Sequence, residues 1–192
     1  VSSLLGAINL VTTVATCRAE GLGWSRLPLA VWGLTCASVL QILALPVLTA
    51  GALLQLSDRL LHTGFFTPAN LVIGNTSPDA LGSTGGWHQP NEGGSPLLWQ
   101  HLFWFYSHPA VYVMVLPAMG LVSDVIAVHA RRRVFGYRGM VIAMVAICGL
   151  GFLVWGHHMF VSGMSPVAGT AFMLSTFLIA LPSSVKTFHW LA

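Results

Sequence analysis

Three stretches of this sequence set metal-ligating or ionisable side chains among apolar neighbours. The first runs Trp99-Gln100-His101-Leu102-Phe103-Trp104-Phe105-Tyr106-Ser107-His108-Pro109-Ala110-Val111-Tyr112. The second is Trp155-Gly156-His157-His158-Met159-Phe160, and the third is Pro182-Ser183-Ser184-Val185-Lys186. Imidazole nitrogen suits copper, zinc and iron. On a helix, His157 and His158 point about 100° apart, so both reach one metal only if a facing helix adds a third ligand. His108 is the candidate. A lone intramembrane histidine more often makes an interhelical hydrogen bond, whereas three on two facing segments point to a metal. His108 and Tyr112 stand four apart and share one helix face. Lys186 is the only lysine. It reads as a proton carrier, with Ser183 and Ser123 as hydroxyls on the same route, or else as a lysine snorkelling near a helix end.

Composition decides what solvent surrounds these residues. Of 192 residues 55% are hydrophobic and 7% charged, against roughly 25% charged in an ordinary soluble domain. Mean hydropathy is +0.78. A soluble enzyme, a disordered tail and a disulfide scaffold are all excluded on this balance. The sequence predicts an all-α fold, a polytopic transmembrane helical bundle in which each span satisfies its own backbone hydrogen bonds. The net charge of +3 does not point to nucleic acid. Half of the basic residues cluster at Arg131, Arg132, Arg133 and Arg138, which reads as a loop on the cytoplasmic or matrix side. Cys17, Cys36 and Cys148 lie far apart without a CxxC pair and read as buried small hydrophobes.

A span takes about 20 mostly apolar residues. Hydropathy places spans at about 1–17, 27–57, 97–128, 139–163 and 170–192, with Pro46 predicting a kink in the second. The 58–96 stretch, rich in Gly, Pro, Asn, Ser and Thr, reads as a long extramembrane loop facing outward. The Arg18–Arg26 and 129–138 loops face inward, and the three sides alternate consistently. Both ends fall inside apolar runs and no signal pattern opens the chain, so it reads as an internal stretch of a longer protein. His108 lies 11 residues below the outer end of its span, roughly 16 Å down, and His157 lies 18 residues above the inner end, roughly 27 Å up. In a hydrocarbon core about 30 Å thick these depths suit one site.

Together the strings Trp-Gln-His-Leu-Phe-Trp-Phe at 99–105, His-Pro-x-Val-Tyr at 108–112, Trp-Gly-His-His-Met-Phe at 155–160 and Pro-Ser-Ser-Val-Lys at 182–186 resemble subunit I of the haem-copper terminal oxidases, the cytochrome c oxidase family. The resemblance covers nearly the whole chain, from about helix IV to helix VIII of a twelve-helix core. It implies that His108, His157 and His158 are the ligands of the copper called CuB. It implies that Tyr112 is cross-linked to His108 and supplies an electron and a proton when the O–O bond breaks. Trp104 and Val111 match positions packed near the site. Lys186, Ser183 and Ser123 match the K proton channel. Many members carry glutamate where this chain has Ala110. Tyr106 and Ser107 instead resemble the Tyr-Ser pair of another subgroup, on the second proton path.

The implied function is reduction of O2 to water at a haem-copper centre, coupled to proton translocation. The implied cofactors are copper and two haems whose axial ligands match no histidine here: His62, His88, His101, His129 and His189 are assigned no metal. The implied partners are O2, cytochrome c or a quinol as electron donor, oxidase subunits II and III, and membrane lipid. The bacterial cytoplasmic membrane is expected ahead of the mitochondrial inner membrane, and no activity is expected from this stretch alone. Nitric oxide reductases of the same superfamily generally lack the cross-linked tyrosine and the channel lysine, so Tyr112 and Lys186 favour oxygen. An intramembrane metal or proton transporter would not need the His-Pro-x-Val-Tyr string, and would show discontinuous or repeated spans.

Overall fold

A computed structural model describes residues 1–66 and 94–192. Helices make up its regular structure: α1 (Ser2–Thr16), α2 (Leu29–Leu60), α3 (Pro96–Ala130), α4 (Tyr137–Leu150), α5 (Pro166–Leu178) and α6 (Ala180–Leu191). No strand occurs among the described residues. Short 3-10 turns lie at Trp24–Arg26 and Trp155–Met159. Most of the 58–96 loop inferred from the sequence lies outside the described residues.

The long helices are apolar around most of their circumference, which suits a lipid solvent. α2 and α3 have 32 and 35 residues, about 48 and 52 Å at 1.5 Å per residue. Each exceeds a hydrocarbon core of about 30 Å and therefore tilts or projects beyond it. The segment Pro166–Leu191, α5 and α6 in succession, is also long and apolar enough to cross. The chain is an integral, multi-pass membrane protein. α2 runs through Pro46, and α3 through Pro109 and Pro117.

Sequence explains where α3 and α5 start. Ser95 precedes Pro96 and Ser165 precedes Pro166; each serine hydroxyl accepts from the backbone N–H three residues on, at 3.3 Å. Proline at the first helical position has no N–H to leave unpaired. α2 lacks a capping side chain of its own. Its first N–H groups are capped from a neighbour instead: Asp124 of α3 accepts from Leu29 at 3.3 Å and Ala30 at 2.9 Å.

α2 and α3 approach very closely. A Cβ on Gly33 would strike the Leu116 carbonyl, and one on Gly120 would strike the backbone of Leu29 and Ala30. Small residues at such a crossing bring two backbones into van der Waals contact, the main packing force available in lipid. Around it lies a core of Leu29, Cys36, Leu40, Leu116, Met140, Met144, Ile147 and Cys148. Tyr137 ties the start of α4 to the entry of α2: its hydroxyl donates to the Leu27 carbonyl at 2.6 Å and accepts from Trp32 Nε1 at 3.1 Å. The Arg18–Arg26 and 131–136 connections therefore share one end of the bundle. Cys36 and Cys148 are buried as the sequence suggests, but Cys17 is exposed. It sits at the C-terminus of α1, where the helix gives way to a polar turn.

Candidate metal centre

α3 supplies one wall of the centre. His101, Trp104, His108 and Tyr112 recur at intervals of three and four and so share one face. His108 is buried. Tyr112, one turn on, sets its ring 4.8 Å from the His108 ring at 63°.

The opposite wall is not a helix. Sequence reading puts His157 and His158 on a continuous span to residue 163, but α4 ends at Leu150 and the two histidines lie on the 3-10 turn Trp155–Met159. Gly149 and Gly151 flank the last helical residue, and glycine is a weak helix former. A 3-10 turn rotates neighbouring residues by about 120° rather than about 100°. Even so, the His157 and His158 rings are 4.3 Å apart.

The three imidazoles converge. Each of His108, His157 and His158 offers one ring nitrogen, and these lie within 4.8 Å of one another. His108 Nδ1 and His158 Nε2 are 3.1 Å apart. The His108 and His157 ring centroids are 4.7 Å apart, with planes at 88°. His108 Nε2 is buried without a hydrogen-bond partner. Such an atom is costly unless some further group uses it.

Neighbours fix the candidate ligand rings. Trp104 stacks on His158, with centroids 3.9 Å apart and planes at 6°. Thr176 of α5 lies 3.1 Å from His157 Nδ1. Its hydroxyl hydrogen is already given to the Phe172 carbonyl at 2.6 Å. Thr176 Oγ1 therefore accepts from His157 Nδ1–H, which leaves the Nε2 lone pair free. That is the arrangement of a metal-ligating histidine. Nitrogen-only donors suit copper, zinc or iron. An ion about 2 Å from each nitrogen would hold them no more than about 4 Å apart, so the His108–His158 pair is already within reach and the set as a whole has to draw in from its 4.8 Å limit. The residues present fit copper. Thr176 gives no spacing signal in the sequence.

The remaining candidates fall in two groups. Lys186 of α6 is fully buried, its Nζ unpartnered and 5.7 Å from the Trp190 ring. Ser123 ties α3 to α6: its hydroxyl donates to the Met119 carbonyl at 2.7 Å and accepts from Trp190 Nε1 at 2.9 Å. Ser183 likewise donates to the carbonyl four residues back, that of Ile179 at 2.9 Å. Tyr106 and Ser107 are half-buried on α3. Val111 is 40% exposed. His62 and His129 are exposed, and His129 and His189 bond to backbone carbonyls one turn back. His88 lies outside the described residues.

The chain as a whole has known relatives. Residues 1–192 match the family described as Cytochrome C and Quinol oxidase polypeptide I. The chain belongs to that family. It is 48% identical over 186 residues to the "Alternative cytochrome c oxidase subunit 1" of Bradyrhizobium diazoefficiens, covering 97% of this chain and 29% of that protein. It is 44% identical over 191 residues to "Cytochrome c oxidase subunit 1" of Cereibacter sphaeroides, covering 100% and 30%. The protein of that name from Bacillus subtilis is 42% identical over 189 residues, covering 98% and 27%. The chain thus spans less than a third of the length of these relatives. The family is one of haem-copper oxidases, and in this member the described residues contain one cluster of three candidate ligands, all histidine.

Proposed function

We propose that this chain is part of the catalytic subunit of a respiratory terminal oxidase that reduces O2 to water and couples the reaction to proton translocation. The observation that carries this reading is the convergence of His108, His157 and His158 beside Tyr112, in a family whose relatives are named cytochrome c oxidase subunit 1. Cytochrome c is the proposed electron donor. A quinol is the second reading, because the family description includes quinol oxidases. The bacterial cytoplasmic membrane is the proposed location, since the relatives named above are bacterial. Subunits II and III are proposed partners.

His108, His157 and His158 would hold copper, and copper there supplies a redox-active Lewis acid with a position open to oxygen. Thr176 keeps the His157 Nε2 lone pair available, and the Trp104 face keeps the His158 ring in plane. Tyr112 presents its phenol as donor of a proton and an electron. The unpartnered His108 Nε2, on a ring whose centroid is 4.8 Å from that of Tyr112, suits the expected cross-link. That bond removes one hydrogen from the nitrogen and one from a ring carbon, with oxygen as acceptor of both. Lys186, buried on α6, holds a proton on the route toward Tyr112, with Ser123 on the same route. Tyr106-Ser107 before His108 stand for the second proton path in place of a carboxylic acid, and Ser183 lies beside the first. Where the whole protein and lipid close off bulk water, protons follow placed groups. Haem ligation is assigned to no histidine of this chain.

Membranes carrying the whole protein test the reading by oxygen uptake with reduced cytochrome c and with a quinol. Cyanide-sensitive uptake with cytochrome c is expected, and Tyr112→Phe should abolish it while copper content persists. Nitric oxide consumption without oxygen uptake would overturn it.

A further inference from the structure

The histidine turn is fastened at both ends to two adjacent residues of α3. At its start, Trp155 Nε1 donates to His101 Nδ1 at 3.2 Å. Beyond its end, the Ser162 hydroxyl donates to Gln100 Oε1 at 2.5 Å. His157 and His158 lie between these two ties. The Trp155 indole is also wedged between Phe105 of α3, at 5.3 Å, and Phe172 of α5, at 4.8 Å. Gly156 leaves no room for a side chain under the Phe172 ring.

We propose that Gln100 and His101 are positioning residues that clamp the Trp155–Ser162 segment to α3, so that His157 and His158 meet His108 in ligand geometry. The proposal rests on the copper reading above. A five-residue 3-10 turn has poorer hydrogen bonds than an α-helix and little stiffness of its own. Between Leu150 and Pro166 no long helix fixes the two rings. His108, by contrast, is held by the rigid α3. Gln100 and His101 stand eight and seven residues before His108, about two helical turns, so α3 serves as a common ruler for both halves of the site. The indole N–H to imidazole tie is part-buried, and a partly desolvated hydrogen bond is costly to leave unmade, so its loss frees the turn.

Four variants of the whole protein test this: His101→Leu, which removes the acceptor; His101→Gln, which can keep one; Trp155→Phe, which removes the donor; and both removals together. The readouts are the rate of copper loss on dialysis against a chelator and the infrared band of carbon monoxide on cuprous copper. His101→Leu and Trp155→Phe should each speed copper loss about tenfold, the scale of orienting residues around metal ligands, and should broaden the band. The double variant should be no worse than either single one, and His101→Gln should restore most of the retention. Wild-type retention and band shape in either single removal, or additive losses in the double variant, would overturn the clamp. If His101→Leu does not assemble, Trp155→Phe alone decides by the same readouts. His108→Asn is the control for the underlying reading: copper retained in that variant refutes the site, whereas copper lost there but held in the clamp variants refutes only the clamp.

Discussion

Thr176 accepts a hydrogen bond from His157 Nδ1 across 3.1 Å, because its own hydroxyl hydrogen is committed to Phe172. One residue on α5 thereby selects the tautomer of a ring carried by a separate turn. Thr176→Val keeps the shape and removes the acceptor. Copper affinity should fall by about 10- to 100-fold, measured by competition with a chromophoric chelator, while Thr176→Ser should stay near wild type. Unchanged affinity in Thr176→Val would show that the bond does not orient the ring.

The α3–α6 tie depends on Ser123 for a different reason. Trp190 Nε1 donates to its hydroxyl inside the bundle. Ser123→Ala leaves that N–H unpaired, at a cost of about 1–3 kcal/mol. Thermal unfolding in detergent should show the loss. Adding Trp190→Phe should recover part of it, because the orphaned donor is then gone.

Lys186 has no hydrogen-bond partner for its buried Nζ. Lys186→Met removes an ionisable group that is buried and unpartnered, so stability should hold or rise. Oxygen turnover should nevertheless drop by about 10²-fold, the scale of a lost proton-transfer group, with copper content unchanged. Full turnover in this variant would remove Lys186 from the proton route.

The closest helix crossing should tolerate almost nothing. Gly120→Ala drives a methyl into the backbone of Leu29 and Ala30. It also strains the nearby cap that Asp124 gives the same two residues. A loss of about 1–3 kcal/mol is expected, against a much smaller change for Gly6→Ala in α1, where nothing lies within 4 Å.

Hydropathy makes the all-helical membrane fold legible, because lipid permits so few backbone solutions. The chemistry-bearing residue types are legible too, since ionisable side chains stand out among apolar ones. What the sequence conceals is local geometry. An apolar run does not distinguish α-helix from the 3-10 turn at Trp155–Met159, and only Gly149 and Gly151 hint at the break. Thr176 is missed because its role depends on how α5 folds back over the turn. Ser183 and Ser123 look alike in sequence, and both hydroxyls donate to the carbonyl four residues back, but Ser123 also accepts from Trp190 of a neighbouring helix. Cys17 reads as apolar until the end of α1 leaves it exposed.

His108, His157 and His158 are proposed to hold one copper. Copper stoichiometry in the purified whole protein and in His108→Asn, His157→Asn and His158→Asn tests this, with assembly checked by thermal unfolding. Each variant should lose one copper per protein while remaining folded. A folded variant that keeps the full copper complement would contradict it.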